Sequence, residues 1–467
     1  MGSFKDEVQK NQTSKNELMQ TILLKNASII NEGAYFTGSV LIKDELIEKI
    51  FISDPSEKDC NNADIVIDCS DLWLFPGIID DQVHFREPGN THKGNIESES
   101  IAAVLGGVTS FMDMPNNNPP STTLEILEKK YQIAAESSFA NYSFYLGATN
   151  SNIEELIKAD NKNICGVKVF MGSSTGNMLV DNESALYDIF SKVGMLIATH
   201  CEDEGIIRKN LDAAKQKYGD TIPFSMHSLI RSRESCIKST EKALALATKY
   251  KSRLHILHLS TSEEIELISR AKENNNKITC ETCVHYLTFN NLDYKEYGSK
   301  IKCNPSIKGE ADRVSIIDAV ERGVIDVVAT DHAPHTLEEK KSSYLNSPSG
   351  LPLVQHSLQV MIELHKEGNF PIEVIPERMC HAPARVFSIE KRGFIREGFF
   401  ADIVIVDPNK EDDITTKRPA YRCGWSPFEG KSFASSIVHT FVNGAHVVKD
   451  GKITGIKNSK RLNFKYE

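Results

Sequence analysis

The chain has 467 residues, 40% hydrophobic and 25% charged, with a formal net charge of −10. This length suits one large domain plus a smaller one, and the composition is that of a globular protein. The acidic balance argues against a general nucleic-acid or anionic-membrane binder but is compatible with a small anionic substrate, since one local Arg can capture a carboxylate, and no apolar run is long enough to span a bilayer.

Residues 1–20, beginning "MGSFKDEVQKNQTSKNELMQ", are polar and lack the apolar core of a secretory signal, so a loose N-terminal extension is expected. Ten cysteines are scattered without a repeating spacing, which fits free thiols in a reducing, cytoplasmic setting. Cys280 and Cys283 form a lone C-x-x-C with no second pair, so they read as two cysteines along a strand rather than a zinc clip.

From 21 to 75, short apolar runs such as "TILLKNASII" and "ADIVIDCS" alternate with turn residues. Residues 393–460 repeat that texture, with Asn443-Gly444 as a hairpin signal. Together the two ends are expected to build a β-sandwich domain. The stretch 76–392 alternates differently: "FPGIID", "GVTSFMDMP", "ANYSFYLGAT", "CGVKVFMG", "MLIATHCEDE", "RLHILHLS", "KITCETCVHYL" and "VIDVVATDHAPH" are apolar strands separated by helical patterns. Eight such units are the number that closes a (β/α)8 TIM-type barrel, whose chemistry sits at the C-terminal ends of its strands.

Those ends carry His84, Arg86, Asn116, Lys168, His200, His258, Asn304, Asp331 and His335 in chain order. A lone strand-end His is usually just solvated or hydrogen-bonded, and Asp331 alone reads as a helix N-cap. Lys168, inside "GVKVF", is a costly buried ammonium unless paired or modified. Several polar tips on independent strands are what a metal site on a barrel needs. The Ser-, Pro- and Gly-rich segment "LEEKKSSYLNSPSGLPLVQHS" reads as a mobile loop that brings Gly350 to the pocket. In "HSLIRSRESC", Arg231 and Glu234 are three apart and are expected to pair on a helix.

The motifs "PGIIDDQVHFREPG", "GGVTSFMDMPNNNPP", "GVKVFMGSSTG", "THCEDE", "KCNPSIK", "IDVVATDHAPH" and "GWSPFEG" together resemble the cyclic amidohydrolases, and within them the dihydroorotases. The resemblance spans nearly the whole chain from about residue 22. It implies one or two zinc ions held by His84, Lys168, His200, His258 and Asp331, with Lys168 carboxylated on its ε-nitrogen. It implies that Asp331 is also the proton carrier, that Arg86, Asn116, Asn304, His335 and Gly350 bind substrate, and that the protein is a homodimer. The implied reaction is the reversible opening of dihydroorotate to N-carbamoyl-L-aspartate in pyrimidine biosynthesis.

Arg86 favours that substrate over hydantoin, dihydropyrimidine or allantoin, because only dihydroorotate carries a carboxylate for a guanidinium to hold. "CETCVHYL" points instead toward the hydantoinase pattern. Gln82 stands where relatives carry His, so the metal nearer His84 is expected to bind more weakly, amide oxygen being a poor zinc ligand. It also raises a third possibility, a non-catalytic dihydroorotase-like partner of aspartate transcarbamoylase. Retention of Lys168, His200, His258 and Asp331 weighs against that.

Overall fold

The computed structural model describes residues 20–172, 178–414 and 419–465. The expected extension, except for Gln20, and the tip of the "GSSTG" motif lie outside these. In chain order the strands are β1 (Thr21–Asn31), β2 (Ala34–Lys43), β3 (Leu46–Phe51), β4 (Ile65–Asp68), β5 (Trp73–Pro76), β6 (Ile78–Val83), β7 (Val108–Asp113), β8 (Asn141–Phe144), β9 (Leu146–Gly147) and β10 (Val167–Phe170). They continue with β11 (Ile197–His200), β12 (Leu254–Ile256), β13 (Ile278–Cys283), β14 (Val327–Ala329), β15 (Ile403–Asp407), β16 (Asp412–Asp413), β17 (Ser432–Phe433), β18 (Ser436–Val442), β19 (Ala445–Lys449) and β20 (Lys452–Ile453).

The two chain ends meet, but in one sheet rather than the two of a sandwich. Its order is β20-β19-β18-β15-β5-β1-β2-β3, with β4 added beside β1. The strand composition was legible, whereas the antiparallel β15–β5 pairing that fuses both halves into one sheet has no local sequence signal. Along β15 the side chains alternate. Ile403 and Ile405 join an inner core with Ile22, Leu24, Ile29 and Val40, while Val404 and Val406 face the large core of the middle region. The Asn443-Gly444 turn has φ of 47° and 76°, the double left-handed geometry of a tight hairpin. A Cβ on Gly444 would lie 1.9 Å from the carbonyl oxygen of Asp44, so only glycine fits there.

All eight middle segments form strands, the third broken into β8 and β9 by Tyr145. They make two parallel arcs, β6-β7-β8 and β9-β10-β11-β12-β13-β14. The far ends of the arcs touch where Val83 bridges His332 and the His84 amide donates to the His332 carbonyl at 2.7 Å. Intervening helices begin at side-chain caps: Thr123 for Leu124–Ser137, Asp203 for Glu204–Tyr218 and Thr261 for Ser262–Asn274. Parallel strands joined by such helices put every strand's C-terminal end on one side. Among the described residues no helix is long and apolar enough to cross a membrane.

A buried polar knot ties the terminal sheet to the arcs. Asp402 pairs with Arg392, accepts from both Asn141 Nδ2 (3.2 Å) and the Asn443 amide (2.8 Å), and Asn443 Nδ2 donates to Asn141 Oδ1 (2.8 Å). Removing one partner of a buried pair strands the other charge, a cost of about 3–5 kcal/mol. Asp402→Ala should therefore lower unfolding free energy by that order in denaturant titrations. A same-volume apolar double replacement of Arg392 and Asp402 should recover most of the loss. An Asp402→Ala variant as stable as the parent would mean the knot is not structural.

Candidate active site

At the C-terminal side of the arcs lies a cavity of about 190 Å³, lined by Gln82, His84, Arg86, Asn116, Lys168 and Phe170 from the early strand ends. His200, His258, Asn304, Asp331, Ala333, His335 and the Pro348–Gly350 backbone complete it. The structure thus brings all ten residues singled out in the sequence to one place. Three of them, Arg86 (φ 71°), His258 (44°) and Asp331 (49°), hold left-handed backbone. Non-glycine residues adopt that geometry at a cost, and such strain concentrates where a side chain must be aimed.

Two clusters of donor atoms face the cavity. In the first, His84 Nδ1 donates to Asn116 Oδ1 at 2.7 Å, which turns Nε2 toward Asp331 Oδ1, 3.1 Å away. Asn116 therefore orients His84 besides lining the pocket. Gln82 Nε2 donates to the same Asp331 oxygen at 3.1 Å, so the amide occupies the missing imidazole's place as a hydrogen-bond donor. Burial pushes the Asp331 carboxyl up, but the His84 hydrogen bond and charge outweigh it and hold the group below the usual carboxylate range.

In the second cluster, His200 Nδ1 and His258 Nε2 meet at 2.9 Å. His200 Nε2 donates to Glu202 Oε2 at 2.9 Å, and Arg231 Nε reaches both Glu202 oxygens at 3.0 and 3.1 Å. This corrects the expected Arg231–Glu234 pair. Arg231 ends the short helix His227–Ile230, and Glu234 sits in the first turn of the next helix, Arg233–Tyr250. The break at Ser232 destroys the i,i+3 spacing and turns Arg231 inward. Glu202 and Arg231 are site residues that the sequence reading missed, though acidic residues directly after a strand-end His, "THCEDE", were a usable signal. Burial pulls both imidazoles down, His258 well below its ordinary range, so they present lone pairs rather than charge.

Between the clusters lies Lys168, 1% exposed, its ammonium pulled down to about 8 by burial. Lys168 Nζ sits 4.6 Å from the Phe170 ring centroid. Among the described residues His258 Nδ1 and Asn304 Oδ1 are buried without a hydrogen-bond partner. Beneath this floor a further group, Asp81, His255 and Glu281, has the spacing to hold a metal. The C-x-x-C cysteines behave as two strand residues: Cys280 Sγ points to the Val324 carbonyl, while Cys283 faces Gln82.

The rim is built around Arg86. Glu87, its neighbour, is engaged by the Ile96 amide at 2.9 Å, and among the described residues no carboxylate lies within ion-pair distance of Arg86. Arg86 Nε donates to the Pro334 carbonyl at 3.1 Å, and a terminal nitrogen lies 3.0 Å from His335 Nε2. Burial and the Arg86 cation keep His335 neutral, and Trp425 Nε1 fixes its carbonyl at 2.7 Å. The segment after Asp331, expected to be mobile, is instead pinned by two buried ammonium groups. Lys340 donates to the Pro348 and Gly350 carbonyls at 3.0 Å each, and Lys302 to those of Tyr344 (2.7 Å) and Ser347 (2.6 Å). A one-turn helix, Leu337–Lys340, precedes the Pro and Gly residues. Gly350 has φ 140°, and a Cβ there would lie 2.4 Å from the Ala333 carbonyl, so this backbone approaches the cavity only as glycine.

Comparison with known proteins agrees with this architecture. A dihydroorotase of Methanosarcina acetivorans is 31% identical over 424 residues, 88% of this chain and 89% of that protein. One of Methanosphaera stadtmanae is 28% identical over 438 residues, 93% and 98% of the two chains. An allantoinase of Bacillus velezensis is 30% identical over 437 residues, 92% and 94%. In fold, the L-hydantoinase of Arthrobacter aurescens superposes with a TM-score of 0.89 at 24% identity, covering 96% of this chain and all of that one. The amidohydrolase family profile matches residues 73–447, and the chain belongs to the amidohydrolase family.

Proposed function

We propose that the protein is a metal-dependent cyclic amide hydrolase acting on a ring that carries a carboxylate, with dihydroorotate, opened reversibly to N-carbamoyl-L-aspartate, as the substrate that fits best. The observation that carries this reading is Arg86, a guanidinium lining a small polar cavity with no carboxylate partner among the described residues. A guanidinium half withdrawn from water favours an anion, and the substrate's carboxylate would provide it bidentately. The relatives named dihydroorotase support the same choice. A neutral-ring amidase is the second reading, favoured by "CETCVHYL" and by the allantoinase relative.

The donor set fits zinc. His200 Nδ1 and His258 Nε2 are 2.9 Å apart, His84 Nε2 and Asp331 Oδ1 3.1 Å, the separations of neighbouring ligands on one small ion. Glu202 fixes the His200 tautomer so that Nδ1 faces the partner imidazole, as Asn116 does for His84 Nε2. His200 and His258 would hold one ion, His84 and Asp331 the other, and Lys168, carboxylated, would bridge them. Zinc bound there would acidify a water and polarise the ring carbonyl. The lowered Lys168 ammonium gives the neutral amine that carboxylation requires.

Asp331, kept ionised, takes a proton from the attacking water through the oxygen not engaged by His84 and Gln82 and delivers it to the departing ring nitrogen. Arg86 holds the substrate carboxylate, neutral His335 braces the guanidinium, and Asn116 and Asn304 orient the ring. We read the two arcs as one closed (β/α)8 barrel and the terminal sheet as a smaller second domain. The resemblance further suggests a cytoplasmic homodimer.

Charged hydrogen bonds of this kind contribute about 1.5–3 kcal/mol each. Arg86→Gln should therefore lower kcat/KM for dihydroorotate about 10- to 100-fold, chiefly through KM, with little change for hydantoin; equal losses on both rings would show that Arg86 reads no carboxylate. Restoring the imidazole with Gln82→His should tighten the ion at His84 and raise zinc after dialysis by about one per chain. Unchanged zinc content in that variant would mean the amide does not weaken the site.

A further inference from the structure

Below the cavity floor, Asp81, His255 and Glu281 converge with no side-chain exposure at all. His255 Nε2 lies 3.2 Å from Asp81 Oδ2 and 3.3 Å from Glu281 Oε2. The rest of the hydrogen bonding constrains what sits between them. The Thr279 hydroxyl donates to the Leu254 carbonyl at 3.3 Å, so its oxygen is left to accept from His255 Nδ1 at 2.9 Å. With Nδ1 committed to Thr279, Nε2 is the ring atom that faces both carboxyl groups, the atom through which an imidazole so held binds a metal. Among the described residues no amide, hydroxyl or ammonium group donates to either oxygen of Asp81, whose polar neighbours are His255 and the Glu281 carboxyl. The adjacent Asp80, by contrast, is served by the Thr330 hydroxyl at 2.6 Å and by the Thr330 and Gln82 amides at 3.3 Å each. A fully enclosed carboxylate with both oxygens unserved is among the most costly groups to bury.

We propose that Asp81, His255 and Glu281 form an interior site for a divalent first-row transition ion, zinc being the reference case, separate from the ligand set at the cavity. Ligand atoms about 2.0–2.1 Å from a tetrahedral zinc lie roughly 3.3 Å from one another, which is the spacing of His255 Nε2 from each carboxylate here. An imidazole with two carboxylate oxygens suits such an ion better than calcium or magnesium, which favour oxygen alone. Two carboxylates and a neutral imidazole are brought to neutrality by one divalent charge. Thr279 is the outer partner that sets the imidazole tautomer. The ion would clamp β6, β12 and β13 directly beneath the cavity, where Asp81 adjoins Gln82 and Glu281 Oε1 accepts from the His258 amide at 3.3 Å.

The test is made on the full chain supplied with zinc alone. A His200→Ala/His258→Ala variant should still retain about one tightly held zinc per chain, and adding His255→Leu should remove it. Anomalous diffraction at the zinc edge from the unaltered protein should place a peak within bonding distance of all three side chains. That measurement decides the matter even if a variant fails to fold. A zinc peak at the cavity with none between Asp81, His255 and Glu281 would overturn the proposal and leave a shared proton as the group that neutralises them. A folded double variant free of zinc would overturn it equally.

Discussion

An ionised side chain withdrawn from water must find an opposite charge or several hydrogen bonds, and this one constraint organises the protein. Asp402 is met by Arg392 and two asparagines where the terminal sheet joins the arcs. Lys130, fully enclosed, is met by Asp113 at 2.9 Å, and Asp113 in turn accepts the Phe85 amide at 3.1 Å, fixing the chain between His84 and Arg86. Glu99 and His332 pair at 2.8 Å where the two arcs touch. Glu202 and Arg231 do the same behind His200. The last three pairs each brace backbone next to a cavity residue: His84 and Arg86, Asp331, and His200.

Against that background the exceptions carry the function. Among the described residues Arg86 has no carboxylate in ion-pair reach, Lys168 is an enclosed ammonium, and Asn304 Oδ1 and His258 Nδ1 have no hydrogen-bond partner. Most buried charges elsewhere are paired, Asp81 being the exception already described, whereas at the cavity polar groups are left for a ligand to complete. The left-handed backbone at Arg86, His258 and Asp331 belongs to the same economy, because local strain is tolerated where it aims a functional group.

Much of this was legible in the sequence. The eight middle strands are β-branched, apolar runs bounded by polar residues, a pattern that depends only on neighbours along the chain. Nine of the ten cavity residues were legible because strand ends of parallel units share one side, and Gly350 because a Ser-, Pro- and Gly-rich loop follows Asp331. What was not legible depends on distant partners. The single sheet rests on the β15–β5 pairing, and the pinned loop rests on Lys302 and Lys340 donating to carbonyls. Arg231 was assigned to a helix partner because a break at Ser232 leaves no mark on an i,i+3 spacing. Asp81 and His255 carry no signal along their own strands, since a polar layer inside apolar strands becomes visible only when three strands are brought side by side.

The central claim is that an unpaired guanidinium in an amidohydrolase cavity selects a charged ring. The most direct measurement is the ratio of kcat/KM for dihydroorotate to that for uncharged dihydrouracil, on the unaltered zinc-loaded protein. The account predicts a ratio of about 10 or more, the minimum expected from charged hydrogen bonds to one carboxylate. A ratio near one, or a preference for dihydrouracil, would contradict it.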